Sequence, residues 1–112
     1  MLGQWWHQET KLPLPLGIDV IRRDLGSAIA TSFSSLFRKS IEYALAHREE
    51  ALPYALQFGR GIRKDLGDRF VGMYVNEDTV DLGTRGQQAL ALLFEKSYEK
   101  GLIPQRVKLE FV

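Results

Sequence analysis

The chain has 112 residues, 45% of them hydrophobic, which supports one core and falls short of two well-formed domains. Fifteen basic against fourteen acidic side chains leave a formal charge of +1, and the basic residues are scattered, so neither nucleic acid nor an anionic membrane is an expected partner. With no cysteine, disulfides, thiolate metal sites and a cysteine nucleophile are excluded, and a reducing compartment fits.

The first segment, residues 1–11, carries Trp5 and Trp6 followed by the polar run HQETK. Each indole has a large apolar area that must be covered, so the expectation is a short helix whose rings lie on the body. Stacking on a ligand, or on a part of a larger domain, is the alternative. The segment has neither a basic n-region nor an apolar h-region, and no apolar run in the chain approaches the ~20 residues that span a bilayer. A cytoplasmic protein with no membrane partner is the default.

Residues 12–24, LPLPLGIDVIRRD, organise the rest. Leu12, Leu14, Leu16, Ile18 and Val20 recur at a spacing of two, which predicts an extended segment with one apolar face. Pro13 and Pro15 lack an N–H, so the first half is an edge, a crossover or a hinge rather than a central strand. One strand cannot make a sheet, so the pattern asks for strands that this chain does not supply.

Four longer helices are expected after it. The first runs from an Asp24 N-cap to about Ala46, with Ile29, Phe33, Leu36, Phe37, Ile41, Ala44 and Leu45 as one buried stripe. The second begins near His47, with Ala51, Leu52, Ala55 and Leu56 inward and Gly59 as its stop; Pro53 is tolerable if the helix starts near Glu50. The third spans about Lys64 to Val75 with Leu66, Phe70, Met73 and Tyr74 inward, and Asn76 closes it in the left-handed region. The segment NEDTVDLG reads as a loop. The fourth spans about Thr84 to Lys100 and ends at Gly101 and Leu102 in a Schellman-type turn. Val107, Leu109 and Phe111 alternate in the tail, which makes a last extended piece.

The chemistry-bearing residues form no self-contained set. His7 and His47 lie forty residues apart with no further ligand at metal-binding spacing, so no metal site is expected. Glu49 and Glu50 are adjacent, hence about 100° apart on a helix, and serve the helix dipole rather than acid/base work. Gly59, Gly61 and Lys64 miss the phosphate-loop spacing and read as a turn. Arg22 and Arg23 read as solvated or ion-paired, with a carboxylate ligand as the alternative. Asp19 lies between Ile18 and Val20 on a segment expected to be half buried. It therefore faces solvent or a cleft, or meets Arg22 or Arg23.

The stretches LGQWWHQETKLPLPLG, RRDLG, IEYALAHREEAL, MYVNEDTVDLGTRG and EFV, in this order, resemble the C-terminal part of the 1,4-dihydroxy-6-naphthoate synthase family. Chorismate dehydratases share that fold, but an aromatic-rich run follows their Thr-x-Leu-Pro stretch, unlike the PLG seen here. The resemblance implies an α/β fold of the periplasmic-binding-protein kind (type II), of which this chain is a partial C-terminal lobe over residues 12–112. That lobe is mostly helical, with one hinge or crossover strand. It further implies a cytoplasmic lyase of the futalosine route to menaquinone, which converts cyclic dehypoxanthine futalosine into 1,4-dihydroxy-6-naphthoate and dihydroxyacetone without a cofactor. The family's catalytic histidine precedes the LGxWW stretch, so His7 is not its counterpart and no catalytic residue is assigned. Pro13, Leu14 and Pro15 are the expected substrate-cavity border. Lys11 stands where the family usually has glycine, and Asp19 and Pro53 where an apolar and a non-proline residue are expected. On this reading the chain is a fragment or a separately encoded piece. Its partner is an N-terminal lobe or a second copy met through the strand edge. A non-enzymatic helical interaction or ligand-binding module is the rival reading.

Overall fold

A computed structural model describes residues 1–112. Six helices carry the fold: α1 Leu2–Thr10, α2 Ser27–Ala46, α3 Arg48–Leu56, α4 Lys64–Tyr74, α5 Glu77–Val80 and α6 Gly83–Glu99, with a 3-10 turn at Arg23–Leu25. The chain contains no strand. The chain is mostly helical, as expected; the α/β expectation is corrected in that its hinge or crossover strand does not form. Residues 13–22 and 106–112 have no regular secondary structure, and the segments expected as strands stay unpaired. The physical reason is the one the pattern raised: a strand needs a partner ladder, and the tail, the other extended candidate, forms none with the proline segment. No helix is long and apolar enough to cross a membrane.

The chain divides into two compact units, Met1–Ile21 with Leu82–Val112, and Arg22–Asp81. In the first, α6 supplies Ala89 and Leu90, 0% and 4% exposed, and α1 supplies Trp6 at 3%. The end of α6 meets expectation in detail. Gly101 takes φ 68, and the Leu102 and Gly101 amides donate to Ser97 O and Tyr98 O, both at 2.9 Å; these are the paired bonds of a Schellman cap. Beyond it, Arg106 fixes the tail by donating from Nε and Nη2 to Glu95 at 3.0–3.2 Å, with its guanidinium 4.6 Å from the centre of the Tyr98 ring. The Glu95 hydrogen bonds, then its charge, raise the Arg106 pKa above its ordinary value.

In the second unit, α2 packs on α3 and α5, and α3 on α4. Arg48 joins the last pair, donating from Nε to Asp68 Oδ1 and from Nη2 to Asp68 O, both at 2.8 Å. Several local expectations change here. Helix α2 starts at Ser27 rather than Asp24, because Gly26 at φ 86 breaks the helical path and the Asp24 carboxylate is taken by the Arg22 guanidinium. Helix α3 starts at Arg48, which puts Pro53 in the second turn, where the Glu49 carbonyl lacks its usual donor. Asn76 is not left-handed: at φ −153, ψ −165 it caps α5. Its Oδ1 accepts from the Asp78 amide at 3.0 Å, and Thr79 Oγ1 accepts from the Asn76 amide at 3.1 Å. This capping box turns part of the expected loop into a short helix.

The largest difference lies in burial. The apolar stripes fall on the expected helical faces, but in the second unit they are open: Ile29, Phe33, Leu36 and Phe37 on α2 and Leu66, Phe70, Met73 and Tyr74 on α4 are 40–68% exposed. Only Ala30 and Leu52 are buried apolar residues there. The protein presents 9253 Å² of accessible surface, whereas a compact chain of 12.8 kDa presents roughly 6,300 Å², and two separately compact halves roughly 7,600 Å². The open apolar side chains of α2 and α4 contribute to this excess, together with the exposed segments outside the helices.

Candidate functional site

The best-defined polar construction in the chain is the junction between α1 and the proline-containing segment. It follows from residue chemistry at each step. Thr10 Oγ1 donates to Trp6 O at 2.7 Å and accepts from the Leu12 amide at 3.1 Å, closing the helix and setting the direction of exit. Lys11 makes the turn at φ 58, ψ 16, with its amide on His7 O. That left-handed conformation disfavours a side chain and suits glycine. The buried Trp6 ring donates from Nε1 to Pro13 O at 2.8 Å, and Arg85, in the first turn of α6, donates from Nη2 to Lys11 O at 2.6 Å.

Pro13, Leu14 and Pro15 are thus held by their backbone and by proline stiffness. Leu14 and Pro15 are half-buried and Pro13 is exposed. From Leu16 to Val20 the segment is exposed throughout, Asp19 included, so Asp19 faces solvent. Arg22 pairs with Asp24 rather than with Asp19.

No catalytic set is assembled. His7 is exposed on α1 in the first unit, whereas His47, in the second, stacks on Tyr43 with ring centres 3.9 Å apart and has Nδ1 2.9 Å from Tyr43 O. Glu49 and Glu50 lie exposed in the first turn of α3. Gly59, Arg60 and Gly61 form the expected turn, with Arg60 at φ 52 and Gly61 at φ 83. No group of three or more potential ligands could hold a metal ion. A shallow groove between α6 and the tail, lined by Ala91, Leu92, Phe94, Glu95, Val107 and Leu109, pairs one carboxylate with apolar walls and holds no base or nucleophile partner. What sequence reasoning missed is the Trp6–Pro13 bond. The signal was available, since a buried indole needs an acceptor and proline carbonyls nearby have no strand partner.

The sequence profile described as menaquinone biosynthesis matches residues 2–99. The chain belongs to that family. Two curated relatives agree. A 1,4-dihydroxy-6-naphthoate synthase of Thermus thermophilus is 41% identical over 101 residues, covering 90% of this chain and 37% of its own length. The enzyme of the same name from Streptomyces coelicolor is 34% identical over 103 residues, covering 92% and 36%. Among solved structures, a crystal structure of an Archaeoglobus fulgidus protein superposes with a TM-score of 0.84 at 40% identity, over 89% of this chain and 38% of that one. This menaquinone biosynthesis family member therefore spans little more than a third of the length of the relatives it matches.

Proposed function

We propose that this chain acts as the C-terminal segment of a 1,4-dihydroxy-6-naphthoate synthase-like lyase, which opens cyclic dehypoxanthine futalosine to 1,4-dihydroxy-6-naphthoate and dihydroxyacetone. Its role is to build one wall of the substrate cleft within a two-lobed, periplasmic-binding-protein-like enzyme of the cytoplasm. Pro13, Leu14 and Pro15 border the substrate by shape and apolar contact. The general-base histidine comes from polypeptide other than these residues.

The observation that carries the reading is the braced ribbon: a short stretch with two prolines is fixed at both Lys11 O and Pro13 O, yet runs on into an exposed apolar edge. Rigid backbone leading to an uncovered apolar surface suits a cleft border that meets another lobe. The lack of any base–nucleophile pair accords with a wall that does no chemistry alone.

The experiment joins this chain, in place of the matching segment, to the rest of the Thermus thermophilus synthase. The joined protein is expected to form 1,4-dihydroxy-6-naphthoate, and the isolated chain to form none. Turnover by the isolated chain, or a folded joined protein without activity, would overturn the reading. A second reading, a non-enzymatic interaction module, draws on Trp5, whose indole is 55% exposed. It is favoured if the isolated chain is a stable monomer and Trp5→Ala abolishes capture of a partner without affecting activity of the joined protein.

A further inference from the structure

The first half of α2 breaks a rule that the other helices of its unit obey. From Leu25 to Phe37 the sequence LGSAIATSFSSLF contains no charged residue, although nearly all of it is exposed and only Ala30 is buried. A helix face that stays in water normally carries charged and polar residues, and here the polar positions hold only the short side chains of Ser27, Thr31, Ser32, Ser34 and Ser35. Helix α4, also open, carries Lys64, Asp65, Asp68 and Arg69 between its apolar residues. On α2, Ile29, Phe33 and Leu36 follow one another at four- and three-residue steps and are 54%, 53% and 68% exposed. Phe33 and Phe37 stack with ring centres 5.8 Å apart, making a flat pad. The flanking Ala28, Ser32 and Ser35 are small and exposed, so another backbone can approach closely.

We propose that the Ser27–Phe37 half of α2 is the main surface on which the remainder of the synthase seats. The proposal rests on the reading above and adds where the contact is made. Area favours this occupant over a second copy. A standard interface covers about 800 Å² per partner, whereas the excess accessible surface of this chain is ~1,700–3,000 Å² by comparison with compact chains. Pairing of two α2 helices would leave most of that excess open. The relatives' chains extend well beyond the matched segment, which is 36–38% of their length, so in those relatives the same chain holds a polypeptide large enough to cover it.

The test introduces Phe33→Asp and Leu36→Asp separately into the isolated chain and into the joined protein, and follows melting and helix content in both. In the isolated chain each side chain already faces water, so the midpoint shifts by less than about 2 °C; in the joined protein it falls by roughly 5–10 °C. Equal small shifts in both proteins would overturn the proposal while leaving the enzymatic reading intact, provided the joined protein turns over. Conversely, a joined protein that is inactive yet loses stability on either substitution retains the docking surface and loses the chemistry. A joined protein that fails to fold, or an isolated chain that sediments as a dimer dissociated by Leu36→Asp, contradicts the proposed occupant.

Discussion

Helices α6 and α2 have similar length and the same kind of apolar pattern, and their surroundings treat them differently. Helix α6, Gly83–Glu99, buries Gly86, Ala89 and Leu90, keeps Leu92, Leu93 and Phe94 half-covered, and ends in a complete cap. Helix α2, Ser27–Ala46, buries Ala30 alone and leaves five large apolar side chains open to water. Helical periodicity tells which side of a helix is meant to be covered; it does not tell whether the cover belongs to the same chain. Around α6 it does, in the unit it shares with the returning tail and with the end of α1, whose Lys11 O accepts from Arg85. Around α2 it does not.

Substitutions sharpen this contrast. The largest effect is expected at Trp6, where alanine removes the biggest buried side chain and the bond to Pro13 O. A loss of about 3–5 kcal/mol, read by denaturant unfolding, would release the proline segment together with α1. Next is a matched pair, Leu90→Ala on α6 and Leu36→Ala on α2. The first costs about 2–5 kcal/mol through the cavity it leaves, the second within about 0.5 kcal/mol because nothing surrounds it. Equal costs at both sites would break the comparison. The smallest effect is a gain. Lys11→Gly relieves a left-handed backbone and is expected to raise stability by up to about 1 kcal/mol, since the relief is partly offset by the greater freedom of glycine in the unfolded chain. A loss on this substitution would mean that the Lys11 Nζ contact with Gln8 O outweighs the strain.

Much of this architecture was legible in the residues. The bodies of the four longer helices, the Schellman end at Gly101, the turn at Gly59–Gly61 and the short Trp helix all follow from apolar spacing and local turn chemistry. Burial was not legible. The stripe from Ile29 to Phe37 reads as core, and it is core only if another layer arrives. The unpaired state of Leu12–Ile21 was foreseeable for the same reason, since its prolines bar the first half from a central strand and the short tail was the one other candidate to pair with it. Local misreadings had local causes: the Arg22–Asp24 pair removed the expected N-cap, and Asn76, whose Nδ2 does meet the last carbonyls of α4, gives its Oδ1 and backbone amide to the capping box of α5 instead of turning left-handed. For the candidate site, the stiffness of the Pro13–Pro15 stretch was legible from its two prolines. What braces them, Trp6 Nε1 and Arg85, joins residues distant in sequence or polar atoms on apolar rings, which spacing does not reveal.

Amide hydrogen exchange along α2, in the isolated chain and in the protein joined to the remainder of the Thermus thermophilus synthase, tests the central claim most directly. Amides from Ala30 to Phe37 are expected to exchange readily in the isolated chain and to slow by about 100-fold or more once joined, as a frayed element becomes core. Identical protection in the two proteins would contradict the claim that this helix is built to be covered by another part of the enzyme.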